Sequence, residues 1–224
     1  MKIASQELDK VIIFQENQVN ELIIENVGLF QRFLWQILQQ IGGSCESSIF
    51  LTEEDKILSW EKNVEIIINP FQLDINQKKV LNRLYQNMSN IVQEKGYYIK
   101  LNELSSEIIN LLTEIEFDGD ISLDYSMNIE PVQIFKMMDV KIETEGKTLL
   151  EKLLGYIKIV SELLLYKLII FVNIKSYLNE EELNLLYQAA HYAKVHLLLI
   201  ESCERKTSLK ENRVIIDSDM CEIL

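Results

Sequence analysis

The last third of the chain alternates dense apolar runs with a capped helical segment, and this alternation restricts the fold more than any other feature. Lys167–Val172 (KLIIFV) is typical of a strand that is buried on both faces. His196–Ile200 (HLLLI) and Arg213–Ile216 (RVII) have the same character. Between the first two runs, Asn179 and Glu182 have the spacing of a capping box at a helix N-terminus. Strand, helix and strand in this order predict a parallel sheet with crossover helices.

The N-terminal part of the chain also combines strands with a helix. Short β-like runs occur at Lys10–Phe14, Glu21–Glu25 and Val64–Ile68. Apolar residues from Leu29 to Ile41 recur with helical spacing, and Gly42 is placed to end that helix. Strands on either side of a helix predict an α/β layer rather than an all-helical bundle.

Two helical stripes separate these α/β segments. Apolar residues recur three or four positions apart from Leu81 to Val92 and again from Leu101 to Ile115, with Gly96 between them. This pattern predicts an antiparallel pair of helices inserted into the α/β fold. The predicted domains are an α/β head formed by residues 1–70 and 140–224, and a helical leg with an acidic region at residues 71–139.

The stretch from Glu114 to Glu145 concentrates oxygen-bearing side chains at alternate positions next to Gly119. They are Asp118, Asp120, Ser122 and Asp124. Such an arrangement is able to turn several oxygens toward one hard cation such as calcium. An EF-hand loop needs Gly at its sixth position and Glu at its twelfth, and the chain has Leu123 and Ile129 there. Two interpretations therefore stay open, a calcium site of another type and a solvated acidic connection between helices.

Gly146-Lys147-Thr148 matches the last three residues of a Walker A loop. Lys141 stands where the earlier glycine of that loop is required, and the apolar run before residue 173 ends in Asn173 instead of a magnesium-binding carboxylate. We therefore do not expect ATP hydrolysis. The same three residues predict the start of a helix.

No arrangement of catalytic residues is visible in the sequence. His191 and His196 are five positions apart on different predicted elements, without the spacing of a metal-binding HExxH motif. There is no GxSxG nucleophile elbow. We predict structural roles for both histidines and a protein that is not an enzyme.

Composition limits the partners and the compartment. A net charge of −13 opposes binding of nucleic acid over the whole surface, so any DNA contact must use a local basic region. Among 224 residues there is no apolar run long enough to span a membrane and no signal-peptide core, which predicts a cytoplasmic protein. Cys45, Cys203 and Cys221 lack CxxC spacing and are expected to be reduced.

Several strings of the sequence, together spanning roughly residues 60 to 200, resemble one protein family. They are FQLDINQKKVLNRLYQNMSNIV, DGDISLD, IFKMMDVKIET and KLIIFVNIKSYLNEEEL. The family is that of the CRISPR-associated Csn-two (Csn2) proteins of type II-A adaptation modules. The resemblance implies an α/β head with a mainly parallel sheet, related to a degenerate P-loop-type fold, plus an inserted helical leg.

The resemblance also implies a function. Family members form homotetrameric rings that are stabilised by calcium and bind the ends of linear double-stranded DNA without sequence specificity. Their role is spacer acquisition in antiviral defence, together with the adaptation integrase and the effector nuclease. A non-enzymatic DNA clamp is therefore the leading hypothesis. A degenerate NTPase-like interaction scaffold without DNA binding is the alternative, and a metal-dependent nuclease that uses the Asp118–Asp124 acids is a third.

The resemblance points to two groups of site residues. The acids that fall in the calcium-binding region of the family are Glu116, Asp118, Asp120, Asp124 and Glu130. The basic residues that are candidates for DNA contact are Lys78, Lys79, Arg83, Lys136 and Lys141. Ordinary solubilising lysines are the alternative explanation for each member of the second group.

Overall fold

The computed structural model describes residues 1–43, 48–126, 128–143, 146, 148–205 and 209–223. Cys45, which is expected to be reduced, and Lys147 of the Gly146-Lys147-Thr148 string lie outside the described residues. Backbone contacts divide the chain into two compact units. Unit 1 consists of residues 1–75 and 144–224, and unit 2 consists of Asn76–Glu143.

The strands of the described residues are β1 (Lys2–Ser5), β2 (Ile12–Ile13), β3 (Val19–Ile24), β4 (Ile49–Glu53), β5 (Lys56–Ile57), β6 (Val64–Ile67), β7 (Leu168–Val172), β8 (His196–Glu201), β9 (Asn212–Ile216) and β10 (Glu222–Ile223). The α-helices are α1 (Val27–Ile41), α2 (Trp60–Asn63), α3 (Lys78–Glu94), α4 (Tyr98–Gly119), α5 (Pro131–Met137), α6 (Leu149–Ile159) and α7 (Glu180–Tyr192). None of the helices in the described ranges combines the length and the apolar character needed to cross a membrane.

Unit 1 is built on a six-stranded sheet with the order β10-β9-β3-β8-β7-β6. The five strands from β9 to β6 are parallel, and β10 pairs with β9 in the antiparallel direction. On the central strand β3, Leu22 lies opposite Ile200 on one side and Val214 on the other. The predicted α/β fold with a mainly parallel sheet is therefore confirmed.

Apolar layers cover both faces of this sheet. On one face Phe33 and Ile37 of α1 are fully buried, and on the other Leu153 and Tyr156 of α6 pack with Leu186 of α7. All five residues of β7 are buried, as the apolar run predicted. Each fully buried side chain of this size contributes roughly 1.5–3 kcal/mol to folding, so the two layers hold the sheet firmly.

A second sheet in unit 1 was not predicted. It has four antiparallel strands in the order β2-β1-β4-β5. The sequence pattern indicated a strand over Lys10–Phe14, but only Ile12–Ile13 pair. In β4, buried Ile49 and Leu51 alternate with Phe50, which is 44% exposed. Strands this short give too few alternating positions to be distinguished from turns by periodicity.

The ends of three helices agree with the sequence analysis. Gly42 is the C-cap of α1. Thr148 is the N-cap of α6, where its hydroxyl accepts a hydrogen bond from the Glu151 N–H at 3.2 Å, so the GKT string does mark a helix start. Asn179 caps α7 in a reciprocal pair with Glu182. Each such cap is worth about 1 kcal/mol.

Unit 2 contains α3, α4 and α5. The helix α3 packs against α5, with the rings of Tyr85 and Phe135 6.1 Å apart. The apolar stripe of α4 is largely open to solvent, since Leu104, Leu111 and Ile115 are 49%, 55% and 52% exposed. The two predicted helices are thus present, while their antiparallel packing stays a prediction.

Candidate nucleic-acid interface

The basic residues of α3 lie on its first turns and are exposed. Lys78 is the first residue of the helix, and Lys79 and Arg83 follow one turn apart on the same face. The Arg83 guanidinium donates a hydrogen bond from Nη1 to Gln86 Oε1 at 3.1 Å, which turns it along the helix surface. The buried side chains Val80 and Tyr85 anchor the opposite face.

The other two basic residues lie on and after α5. Lys136 is in the last turn of α5 and is exposed, where a cation is favourable for the helix dipole. Lys141 forms an ion pair with Asp139 at 2.5 Å, and the two side chains are 53% and 75% exposed. A pair as exposed as this one contributes little to stability.

Three hydrogen bonds hold the segment after α5 against the beginning of α3. The Asn76 side chain accepts a hydrogen bond from the Ile142 N–H at 2.8 Å and donates one to the Ile142 carbonyl at 3.0 Å. The Tyr85 hydroxyl donates to the Val140 carbonyl at 2.8 Å. Lys141 lies between these two anchored residues. The five basic residues therefore occupy three adjoining segments of unit 2, a relationship that their spacing in the sequence does not reveal.

The predicted acidic group is distributed around the end of α4 and the start of α5. Glu116 and Asp118 are in the last turn of α4, and Asp120 is its C-cap with a left-handed φ of 50°. Glu116 Oε1 accepts a hydrogen bond from the Leu123 N–H at 3.0 Å, so this carboxylate closes the turn that follows the helix. Carboxylates at a helix C-terminus oppose the helix dipole, so the acids here are not placed for helix stability.

The remaining acids are further along the chain. Asp124 is exposed, and Glu130 is the N-cap of α5, with its backbone N–H donating to Gln133 Oε1 at 3.1 Å. Within the described ranges, no three His, Cys, Asp or Glu side chains are grouped closely enough to hold a metal ion. Calcium takes six to eight oxygen ligands. In this arrangement the five acids of one chain do not fit a calcium ion.

The connection from β3 to α1 is too short to form a phosphate-binding loop. The connection from β3 to α1 is only Glu25 and Asn26, whereas the phosphate-binding loop needs about eight residues. Asn26 Oδ1 accepts a hydrogen bond from the Leu29 N–H at 2.9 Å, and its Nδ2 donates to the Ser218 carbonyl at 2.9 Å. The N-terminus of α1 is thus capped by its own side chain and offers no phosphate cradle.

His196 and Asn173 make contacts within unit 1. Asn173, the residue after β7, accepts a hydrogen bond from the Ser202 N–H at 2.9 Å. His196 is on β8 with its ring 5.6 Å from that of Phe14, and burial lowers its pKa. These contacts tie loops and strands of unit 1 together.

Comparison with known proteins gives the family. The sequence model of the family described as CRISPR-associated protein (Cas_Csn2) matches residues 43–220. The CRISPR-associated protein Csn2 of Streptococcus agalactiae is 22% identical over 202 residues, which cover 90% of this chain and 89% of the relative. The protein of the same name from Enterococcus faecalis is 23% identical over 185 residues, covering 80% and 81% of the two chains. Because the family match covers well over half of the chain, the protein belongs to the CRISPR-associated Csn2 family.

Proposed function

We propose that this CRISPR-associated protein is a non-enzymatic homotetrameric ring that binds the ends of linear double-stranded DNA during spacer acquisition. The observation that carries the proposal is the group of exposed basic residues on α3, on α5 and on the segment joined to α3 by Asn76. Lys and Arg side chains on neighbouring segments are suited to phosphates of a DNA backbone and provide no sequence specificity by themselves.

A ring explains how so acidic a chain would bind DNA. At a net charge of −13, a single chain presents few basic contacts against an overall repulsion. Four copies arranged around a duplex would add their phosphate contacts within one complex, so that weak contacts combine into useful affinity. A closed ring admits DNA only at an end, which is the physical basis for a preference for linear molecules.

Two observations support a role without nucleotide chemistry. In unit 1 the parallel strands have the order β9-β3-β8-β7-β6, and β3 leads directly into the long helix α1. That arrangement of strand and helix is the one in which a P-loop occurs. Here the connection is only Glu25 and Asn26, and the Asn26 side chain caps α1. We therefore propose a degenerate P-loop-type head, with the adaptation integrase and the effector nuclease supplying the chemistry as partners.

We also propose that calcium stabilises the ring, and this part of the proposal is tested separately from DNA binding. The acids at the end of α4 do not form a complete ligand set in the described chain. Binding of calcium would therefore require residues 120–130 to rearrange or a second copy to add oxygens. Neutralisation of these carboxylates would lower their mutual repulsion and their repulsion of DNA.

The test is an electrophoretic shift of one DNA sequence in linear and covalently closed circular form, with calcium or with a chelator. We expect binding of the linear form alone. The double variant Lys79→Gln with Arg83→Gln should weaken binding and make it less sensitive to salt. Each phosphate that loses its cation should reduce the slope of log affinity against log salt concentration by about 0.9. Lys158→Gln with Lys194→Gln, two exposed lysines of unit 1, is the matched control of equal charge change.

Four outcomes would contradict the proposal. Equal binding to linear and circular DNA would exclude loading at ends. A binding loss as large in the control variant as in the α3 variant would show that net charge, not the basic group, matters. Cleavage of DNA in magnesium or manganese would favour the metal-dependent nuclease over the clamp. Absence of DNA binding would favour the interaction scaffold.

A further inference from the structure

Unit 1 contains a buried cluster of charges that the DNA-binding proposal does not use. At its centre is Lys175, whose side chain is 2% exposed. Its ammonium lies 2.7 Å from Glu21 Oε1 and 2.9 Å from Glu211 Oε1, and both glutamate side chains are fully buried. Burial of a charge is costly unless it is paired, so these groups depend on one another.

Further contacts extend the cluster over four elements. The other carboxylate oxygen of Glu21 on β3, Oε2, accepts a hydrogen bond from Arg213 Nε on β9 at 2.7 Å. Glu211 Oε1 accepts a bond from the hydroxyl of Tyr187 on α7 at 2.9 Å. Burial and the charge of Glu211 raise the pKa of that hydroxyl, which keeps it protonated as the donor. The cluster thus joins β3, β9, α7 and the turn that follows β7.

Glu201, the last residue of β8, is a carboxyl of this cluster for which no cation is left. It is fully buried. Its Oε1 accepts a bond from the Lys175 backbone N–H at 3.2 Å, and its Oε2 has no hydrogen-bond partner among the described residues. With Glu21 and Glu211, the cluster has three carboxyls for two cations, Lys175 and Arg213. An ionised Glu201 therefore leaves a buried negative charge uncompensated.

The groups around Glu201 act on its protonation in opposite directions. Burial raises the pKa of Glu201 to about 7, and the nearby charge of Glu21 adds to this. The bond from the Lys175 N–H and the charges of Lys175 and Arg205 oppose the shift. Of the remaining neighbours, Glu204 is half-exposed and pairs with Arg213 at 3.1 Å. Near neutral pH a proton on Glu201 makes the buried cluster neutral.

We propose that Glu201 is a proton-binding site that locks the turn after β7 to the segment after β8. At this junction, between the described residues of these two segments, the Ser202 N–H donates to Asn173 Oδ1 at 2.9 Å, and Arg205 Nη2 donates to Ser176 Oγ at 2.9 Å. When Glu201 is protonated, the junction encloses a neutral cluster and stays closed. When Glu201 ionises, hydration of the carboxylate favours opening of the junction.

The direction of the pH dependence follows from the protonation. Because the pKa of Glu201 is higher in the folded chain than in the open state, the stabilisation is complete below the ordinary glutamate value and is lost as the pH rises past about 7. Between about pH 6 and about pH 8.5 the equilibrium constant for closing the junction should fall about tenfold. This is the change expected for one carboxyl whose pKa is about 7 in the closed state and has the ordinary glutamate value in the open state.

The experiment is hydrogen exchange of the full-length protein at about pH 6 and about pH 8.5, with rates corrected for intrinsic pH dependence. We expect protection of peptides covering residues 173–178 and 198–205 to fall about tenfold in the native protein at the higher pH. Glu201→Gln should remove this fall. Glu204→Gln, a carboxyl change on the same segment, should retain it.

A fall in protection of the same size in Glu201→Gln would overturn the proposal, and so would unchanged protection in the native protein. If the glutamine variant does not fold, Glu201→Leu provides a second neutral side chain of similar size. Peptides of α1, whose buried side chains pack on the other face of the sheet from α7, serve as the internal reference within each sample.

Discussion

Replacement of Lys175 by methionine tests whether the buried charges of unit 1 stabilise it as an interdependent cluster. The substitution keeps an unbranched side chain that ends at the ε position and removes the ammonium that reaches both Glu21 and Glu211. At distances of 2.7 and 2.9 Å each attraction is about 6 kcal/mol with an effective dielectric constant of about 20. The cost of burying three charged groups cancels much of this gain.

The net loss follows from what remains after the substitution. Glu21 keeps its bond to Arg213, while Glu211 keeps the hydroxyl of Tyr187. Removing one partner of a buried pair costs about 3–5 kcal/mol, so we expect Lys175→Met to lower the free energy of unfolding by about 4 kcal/mol at about pH 7.5. A carboxyl left without a cation takes up a proton at lower pH. This proton uptake restores about 1.36 kcal/mol of the free energy of unfolding for each pH unit. The loss should therefore shrink by roughly 2–3 kcal/mol at about pH 5.5.

The assay is urea unfolding followed by the fluorescence of Trp60, which is buried in unit 1. Lys158→Met, a change of the same type at an exposed position, is the control and should alter stability by less than about 0.5 kcal/mol. A loss below about 1 kcal/mol for Lys175→Met, or an equal loss at both pH values, would refute the view that the cluster depends on this cation.

Three further predictions concern single contacts. Asn76→Ala removes both hydrogen bonds to Ile142, so we expect the local stability of this segment to fall by about 1–3 kcal/mol. The measurement is hydrogen exchange at the Ile142 amide, which should become faster; unchanged exchange would contradict the prediction. Asn179→Ala removes the N-cap of α7 and should cost about 1 kcal/mol in urea unfolding, and a neutral result would show that the cap is dispensable. The hydrogen bond from Lys167 lowers the pKa of Glu53. This pair should therefore contribute stability at neutral pH, and that stability should be lost in acid as Glu53 is protonated. The difference in stability between the native protein and Lys167→Met should then vanish at low pH.

The parts of the fold that were predictable from the sequence are those set by local physics. The run Lys167–Val172 has enough consecutive apolar residues to specify a buried strand without knowledge of its neighbours. Asn179 and Thr148 bond within their own helices, so their spacing alone predicts the helix starts. The order of strands and helices then predicts a mainly parallel sheet, because a helix between two strands is the crossover connection that parallel strands need.

The parts that were not predictable depend on residues far apart in the chain. Nothing in the run Glu21–Glu25 indicates that Glu21 meets Lys175, because a charge in a short strand usually faces solvent. Asn76 likewise gives no sign that it bonds to Ile142. The short antiparallel strands β1, β4 and β5 were missed for the related reason that their stability comes from partners, not from their own pattern.

The acidic group illustrates a different limit of sequence reasoning. Alternate spacing of Asp118, Asp120 and Asp124 suggests convergence if the chain is extended throughout. In the structure α4 continues through Gly119, so Asp118 is on a helix and Asp120 is at its left-handed end. Their side chains therefore do not follow one extended strand. The resemblance to the family, not the spacing, is what keeps calcium in the proposal.

The most direct test of the ring is the mass of the protein in solution, by sedimentation or light scattering, in calcium and in excess chelator. We predict a particle of four times the chain mass of 26.2 kDa in calcium, and a smaller one in chelator. A tetramer under both conditions would support the ring but show that calcium is not needed for its assembly. A monomer of 26.2 kDa under both conditions would contradict the proposed clamp.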